Sequence, residues 1–411
     1  MPSLRPLCPN IDSLTSSSLR IVLSLSFVLL LLQACTDTTS TSWERYEDAG
    51  EKAYEQRRYV DSEKMLLAAH KEAQTRHLDN AQLARTTKHL GDLYYDQGKL
   101  VEAEPYYEQA LAISQKASGT EHLHANGIIK NLVKIYNARG KYQDAEGLYR
   151  RVLELREKLL GPDHLQVATS LDDLAAQYTL ESKFTDALPL YKRSLAIRQK
   201  VLGESSREVA MSLNRLAATY AFLNDPAQAE VLYKRSLAIL EKTVGVEHPD
   251  TASLLSQLAG VYQSQGKLVE SERLYQRALA LMVKLEGPKH PDFSATLINL
   301  GMLYRKQGRY AEAADLSRHA LKIREKALGG SDPQVAHALT MLGAVYLDQG
   351  KYAKAEPHFV RALGIFEQRP RPIDRFDIVT SLLGLADVYS KTNRKSEAEK
   401  LKDRARALRL Q

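Results

Sequence analysis

Residues 164–205 read HLQVATSLDDLAAQYTLESKFTDALPLYKRSLAIRQKVLGES. Leu171, Leu174, Ala175 and Tyr178 recur at the three-and-four spacing that places side chains on one face of an α-helix. After Ser182 the same periodicity returns with Ala187, Leu188, Tyr191, Leu195 and Ile197. The stretch therefore reads as two amphipathic helices joined by a tight turn. It closes at Gly203, a residue suited to the position just past a helix C-terminus.

The same unit recurs outward in both directions. Tyr94, Tyr136, Tyr178, Tyr220, Tyr262, Tyr304 and Tyr346 are spaced by 42 residues, and Tyr389 follows after 43. Small residues keep that register at Ala103, Ala145, Ala187, Ala229, Ser271, Ala313, Ala355 and Ala398. Leucines keep it at Leu90, Leu132, Leu174, Leu216, Leu258, Leu300, Leu342 and Leu385. A period held over most of a chain specifies stacked units, each completing its neighbour's core. Between the paired helices stand Gly98, Gly140, Gly266, Gly308 and Gly350, with Asn224 and Asn393 in the same place; Ser182 departs from the pattern. The next helix starts at His122, His164, Ser206, His248, His290 or Asp332. Pro249, Pro291 and Pro333 then take the first helical position. The fold class expected is all-α, an α-solenoid of stacked antiparallel helix pairs.

This pattern resembles the tetratricopeptide repeat, and its length resembles the 42-residue version in the kinesin light chain. Gly266-Lys267-Leu268-Val269-Glu270-Ser271-Glu272 and His248-Pro249-Asp250 carry the resemblance, which extends over about residues 43–408. Ala49 to Leu67 forms a degenerate first unit, with Tyr59-Val60-Asp61-Ser62-Glu63 matching Leu100 to Glu104. The basic last helix, Ser396 to Leu408, reads as a terminal cap, and residues 409–411 as a tail. About nine helical hairpins are expected, the outer two atypical. The resemblance implies a right-handed superhelix whose first helices line a concave, protein-binding surface.

The N-terminus has a different character. Ile21 to Leu32 is a run of 12 uncharged positions preceded by Arg5 and Arg20. A membrane-spanning helix needs about 20 apolar residues, so the run suits the core of a signal peptide instead. It ends in Leu32-Gln33-Ala34-Cys35, which resembles a bacterial lipobox. That resemblance implies a signal peptide over residues 1–34 and a lipid-modified Cys35, followed by a short linker through residue 42. More than one acyl chain gives stable anchoring. Thr36, in place of Asp, implies the outer membrane. The expected location is the bacterial envelope, lipid-anchored and facing the periplasm.

The 57 basic and 50 acidic residues are finely mixed, giving a net charge of +7 on solvated helix faces and no nucleic-acid-binding tract. Cys8 and Cys35 are the only cysteines, so the body has no disulfide, cysteine metal site or cysteine nucleophile. His122, His164, His248 and His290 recur in register, but equivalent positions of packed helices lie about 8–10 Å apart. Metal ligands must sit within about 2.0–2.2 Å of one ion, so these histidines are read as helix caps. The Gly-Lys pairs at Gly98, Gly140, Gly266 and Gly350 lack a preceding strand and an earlier glycine, and are interhelical turns. No enzyme activity, metal, cofactor or small-molecule substrate is expected.

If Leu171, Leu174, Ala175 and Tyr178 face the core, helical rotation of about 100° per residue puts Thr169, Asp173, Ala176 and Leu180 opposite. The equivalents of Asp173 are Asn131, Arg215, Gln257, Asn299 and Met341, and amides there can bond an extended peptide. With Met211, Phe222 and Met302, the candidate groove becomes Asn131, Asp173, Leu180, Met211, Arg215, Phe222, Gln257, Asn299, Met302 and Met341. Its apolar middle points to a protein segment or partner helix. The competing reading packs Leu180 and Phe222 against the adjacent unit. The function expected is a membrane-anchored scaffold or adaptor in the envelope. The alternatives are a non-catalytic subunit activating a periplasmic enzyme, and a cytosolic cargo adaptor if the N-terminus is not a signal.

Overall fold

In the computed structural model, residues 41–116, 126–285, 287, 291–368 and 374–410 are described, and among them lie eighteen α-helices and no strand. The apolar run, Cys35, His122 and His290 fall outside the described residues. The chain divides into two compact units, Met1–Ile135 and Tyr136–Gln411. Unit one holds α1 (Ser42–Glu55), α2 (Tyr59–Thr75), α3 (Asn80–Asp96), α4 (Leu100–Lys116) and most of α5 (Asn126–Ala138). Unit two holds α6 (Tyr142–Leu160), α7 (Leu165–Leu180), α8 (Phe184–Leu202), α9 (Arg207–Phe222), α10 (Pro226–Thr243), α11 (Pro249–Ser264) and α12 (Leu268–Leu285). It continues with α13 (Pro291–Lys306), α14 (Tyr310–Leu328), α15 (Pro333–Asp348), α16 (Tyr352–Gln368), α17 (Arg375–Lys391) and α18 (Lys395–Leu410). Odd-numbered helices are the first of each hairpin. Among the described residues no helix is long and apolar enough to cross a membrane.

Local signals set the boundaries. The Thr41 hydroxyl accepts from Glu44 N–H, and the Glu44 carboxylate accepts from Thr41 N–H at 2.7 Å. This reciprocal cap starts α1 at Ser42, one residue inside the stretch read as linker. His164 and His248 do cap α7 and α11, each Nδ1 accepting a backbone N–H at 3.1 Å. Within the hairpin turns Ser182 takes the same left-handed conformation (φ 61°) as Asn224 (φ 60°), so its departure is in residue type only. The turn after the second helix is less tolerant. Gly203 has φ 81° and ψ 167°, a region open essentially to glycine alone.

In hairpins held within one unit the two helices meet on small residues, and every second helix keeps a small residue at that position. Ser62 and Ala103 in unit one are fully buried, as are Ala145, Ala187, Ala229, Ser271, Ala313 and Ala355 in unit two. The approach is close enough for the Ser62 hydroxyl to donate to Gly50 O at 2.9 Å and the Ser271 hydroxyl to Ala259 O at 2.7 Å. One turn further along the second helix an aromatic ring fills the seam. A Cβ on Gly91 would stand 3.1 Å from the Tyr107 ring, and one on Gly343 3.1 Å from Phe359.

Successive hairpins are joined by a recurring polar lock. The Tyr178 hydroxyl and Lys183 both donate to Glu146 of the preceding hairpin, at 3.1 and 3.2 Å, with the Lys183 amine 5.6 Å from the Tyr178 ring centre. Tyr304, Arg309 and Glu272 repeat the arrangement at 3.1 and 2.9 Å. Lys267 reaches Glu230, and Arg394 reaches Glu356, each cation lying over the ring of Tyr262 or Tyr389. In unit one Tyr94 donates to Glu63 at 2.7 Å beneath Lys99. In three Gly-Lys turns the lysine, Lys99, Lys141 or Lys267, thus covers the repeated tyrosine. Two junctions lack the acid: Leu188 and Ala314 stand where Glu146 and Glu230 have their carboxylates.

Hydrogen bonds from Lys234 (2.5 Å) and Lys267 (3.0 Å) hold the Glu230 carboxyl down to about 2 against the opposing effect of burial. A folded-state value below the unfolded one contributes stability above the unfolded value and loses it as pH falls through the folded one. Glu230→Gln should therefore lower the urea midpoint at pH 7. The difference from the parent should shrink between about pH 4.5 and pH 2; urea titrations across that window measure it.

Candidate functional site

In unit two the first helices α7, α9, α11 and α13 are buried on every side but one. On α7, Thr169 and Ala176 are exposed and Asp173 and Leu180 half-buried, while the intervening positions are buried or nearly so. On α9 the open stripe comprises Glu208, Met211, Arg215, Ala218 and Phe222, of which Glu208, Arg215 and Phe222 are exposed. On α11 and α13 it passes through Gln257, Asn299 and Met302, all half-buried. Helical rotation from the core positions had placed this stripe, and the packing leaves it uncovered.

Several of its side chains are already engaged. Arg215 donates to Asp172 at 2.9 Å, and the same Asp172 oxygen takes Arg198 at 2.8 Å. Phe222 stacks on Phe184 of the preceding hairpin, with centroids 4.6 Å apart and planes at 7°, yet remains 58% exposed. Phe222 therefore packs on the adjacent hairpin and still offers most of its surface to solvent. Gln257 lies 3.5 Å from Ser253 Oγ, and Met302 packs on the cluster of Phe293, Leu297 and Ile298.

Two expected members do not lie open. Met341 is 5% exposed, enclosed by the same cluster as Phe293 and Ala338. Met341 packs back onto Met282, Leu297 and Ile298 of the preceding hairpins, while α17, held to α15 by His337–Asp377 (2.7 Å) and Thr340–Ser381 (2.7 Å), clusters with Ala344. Asn131, in unit one, gives its amide hydrogens to Asp92 (3.2 Å) and to the Tyr107 hydroxyl (3.0 Å). Its donors are used inside that unit.

The tetratricopeptide-repeat profile matches residues 124–199, 171–242, 250–326 and 292–368, and a second profile of the same description matches 83–124. The chain belongs to the tetratricopeptide-repeat family. Among solved structures, nearly identical TPR-like repeats assigned to a kinesin light chain of Podosopora anserina are 26% identical to it. They cover 48% of this chain and 93% of that one, with a TM-score of 0.42. BtubC (BKLC) from P. vanneervenii is 24% identical over 56% of this chain and 90% of its own, at 0.44. A Rap protein solved with Competence and Sporulation Factor is 14% identical but covers 90% of this chain and 98% of its own at 0.56, a likeness of fold. No curated protein matches the chain.

This tetratricopeptide-repeat chain also buries arginines that its sequence did not single out. Arg156, Arg198 and Arg324 share one register on second helices, where Leu240 and Met282 take the intervening turns. Each is stabilised by hydroxyls or carbonyls: Arg156 by Ser170 (2.6 Å), Arg198 by Ser212 (2.8 Å), and Arg324 by Ser294 (3.1 Å) and Gln334 O (2.7 Å). Burial pulls the Arg324 guanidinium down to about 10. The available signal was a charge recurring every 42 residues in an otherwise apolar register.

Arg198 and Arg215 together neutralise the buried Asp172 carboxylate, beneath the open stripe. Arg198→Met should cost about 3–5 kcal/mol, because a buried charge loses a partner. Adding Asp172→Asn should restore much of it, and urea unfolding of the single and double variants reads both effects.

Proposed function

We propose that this chain is a non-catalytic adaptor, anchored by lipid on Cys35 to the bacterial outer membrane and facing the periplasm. On the open stripe of unit two it holds a protein segment, a peptide or helix with one apolar face. The observation that carries the reading is the uncovered run of Leu180, Met211 and Phe222 on first helices, with Arg215 among them. Hairpin stacking consumes the rest of the apolar surface of α7 and α9, so these side chains stay available to a partner. Thioether and ring supply adaptable, polarisable contact, and the guanidinium supplies a donor that fixes register. The anchor reading is supported by Leu32-Gln33-Ala34-Cys35 directly after the apolar run. A Ser- and Thr-rich linker keeps α1 near the bilayer, each residue reaching at most about 3.6 Å.

A crosslinking pull-down from envelope extract tests the surface. Met211→Glu combined with Phe222→Asp should abolish capture of the partner held by the parent chain while far-UV circular dichroism stays unchanged; capture at the parent level contradicts the assignment. Mass spectrometry of the mature N-terminus should find acylated Cys35 as the first residue. An unmodified Cys35 within an intact chain contradicts the anchor.

A further inference from the structure

Glu47 and Glu51 lie one turn apart on α1, so their side chains share a helix face. His89, on α3, meets them there. Its Nδ1 is 2.7 Å from Glu47 Oε1 and 3.1 Å from Glu51 Oε1, and one ligand atom from each residue lies within 4.8 Å of the others. Glu47 is fully buried, His89 mostly so and Glu51 half-exposed. All three belong to unit one.

We propose that Glu47, Glu51 and His89 bind one divalent transition-metal ion, of the zinc class, through one oxygen of each carboxylate and the imidazole Nδ1. Charge is the first reason. One nitrogen offers one proton, yet two carboxylates converge on it, and like charges this close disfavour each other unless a cation intervenes. Arg85 forms a long ion pair with Glu47, its Nε at 3.7 Å and beyond hydrogen-bond distance, and its guanidinium lies over the Trp43 ring. Further carboxylates, Glu55 and Asp92, line the same cavity of about 240 Å³ with Glu51 and His89. Lys88 is spent on Asp92 at 2.5 Å.

The second reason is preorganisation. The other Glu47 oxygen accepts from the Thr86 hydroxyl at 2.7 Å, and Thr86 accepts from the Trp43 indole at 3.0 Å. Such outer hydrogen bonds hold a ligating carboxylate in place. Around an ion with bonds of about 2.0–2.2 Å, tetrahedral ligand atoms stand roughly 3.4 Å apart. Half-exposed Glu51, at 3.1 Å from His89, reaches that spacing by a small outward swing, and the His89–Glu47 pair must open from 2.7 Å as the ion replaces the proton between them. The fourth position faces the cavity, where water can enter. An imidazole with two carboxylates suits zinc, cobalt or manganese better than calcium or magnesium, which take all-oxygen sets.

Full-length, tag-free protein stripped with a chelator should bind one equivalent of Zn²⁺ in calorimetry at neutral pH. Co²⁺ should give the visible bands of a four-coordinate nitrogen–oxygen site. Glu51→Gln should weaken binding by about tenfold or more while leaving the fold intact, because its side chain is half-exposed. His89→Asn should remove the cobalt bands. Added Zn²⁺ should raise the thermal midpoint of the parent more than that of Glu51→Gln. Absence of stoichiometric binding overturns the proposal and leaves a buried His89–Glu47 pair. Binding by Glu51→Gln and His89→Asn equal to the parent overturns it as well, by placing the ion elsewhere.

Discussion

The structure depends on one steric condition: a small side chain at the fourth position of each second helix. Ser62, Ala103, Ala145, Ala187, Ala229, Ser271, Ala313, Ala355 and Ala398 are at most 1% exposed. Any larger group there would push the helices of a hairpin apart. Because they sit close, a ring such as Tyr107, Tyr275 or Phe359 fills the next turn, and leucines of the first helix reach the following hairpin. In unit two, first helices such as α7 and α9 are then packed by their own partners and by neighbouring hairpins, which leaves a single stripe open. The candidate surface is the remainder of that packing.

The lock between hairpins shows how the array varies without losing its register. Where Glu146, Glu230, Glu272 or Glu356 is present, a lysine or arginine from the next turn sits between the acid and the tyrosine ring. Where Leu188 replaces the acid, Asp225 replaces the turn cation, and the Tyr220 ring takes Lys192 instead. That same junction carries the stacked Phe184 and Phe222. Apolar contact there takes over from the ion pair, and it does so at the open stripe. Tyr346, whose junction has Ala314 in place of the acid, stacks instead on His358 within its own hairpin, at 5.6 Å.

The hairpins were legible because a period of 42 encodes local helices and their immediate partners. The face of each first helix was legible too, since 100° per residue fixes which side chains oppose the core. What stayed hidden depends on pairs of hairpins. The burial of Met341 follows from its packing on Met282, Leu297 and Ile298, some 40 to 60 residues earlier in the chain. The buried arginines needed partners such as Ser170 and Ser212, 14 residues on in the next hairpin. Glu47 and His89 hold the register of Asn131 and Asp173 in the first two hairpins, but Glu51, one helical turn beyond Glu47, has no such counterpart, so the period alone did not reveal the cluster. Its histidine keeps no register with His164 or His248.

Amide hydrogen exchange on unit two with Ala229 enlarged to leucine tests the steric condition most directly. Overpacking of that seam should cost about 1–3 kcal/mol locally. Protection should fall across α9 and α10, and less across the hairpins on either side, while α15 to α18 keep parental protection. Uniform loss throughout unit two, or unchanged protection in α9 and α10, would contradict a structure built on that seam.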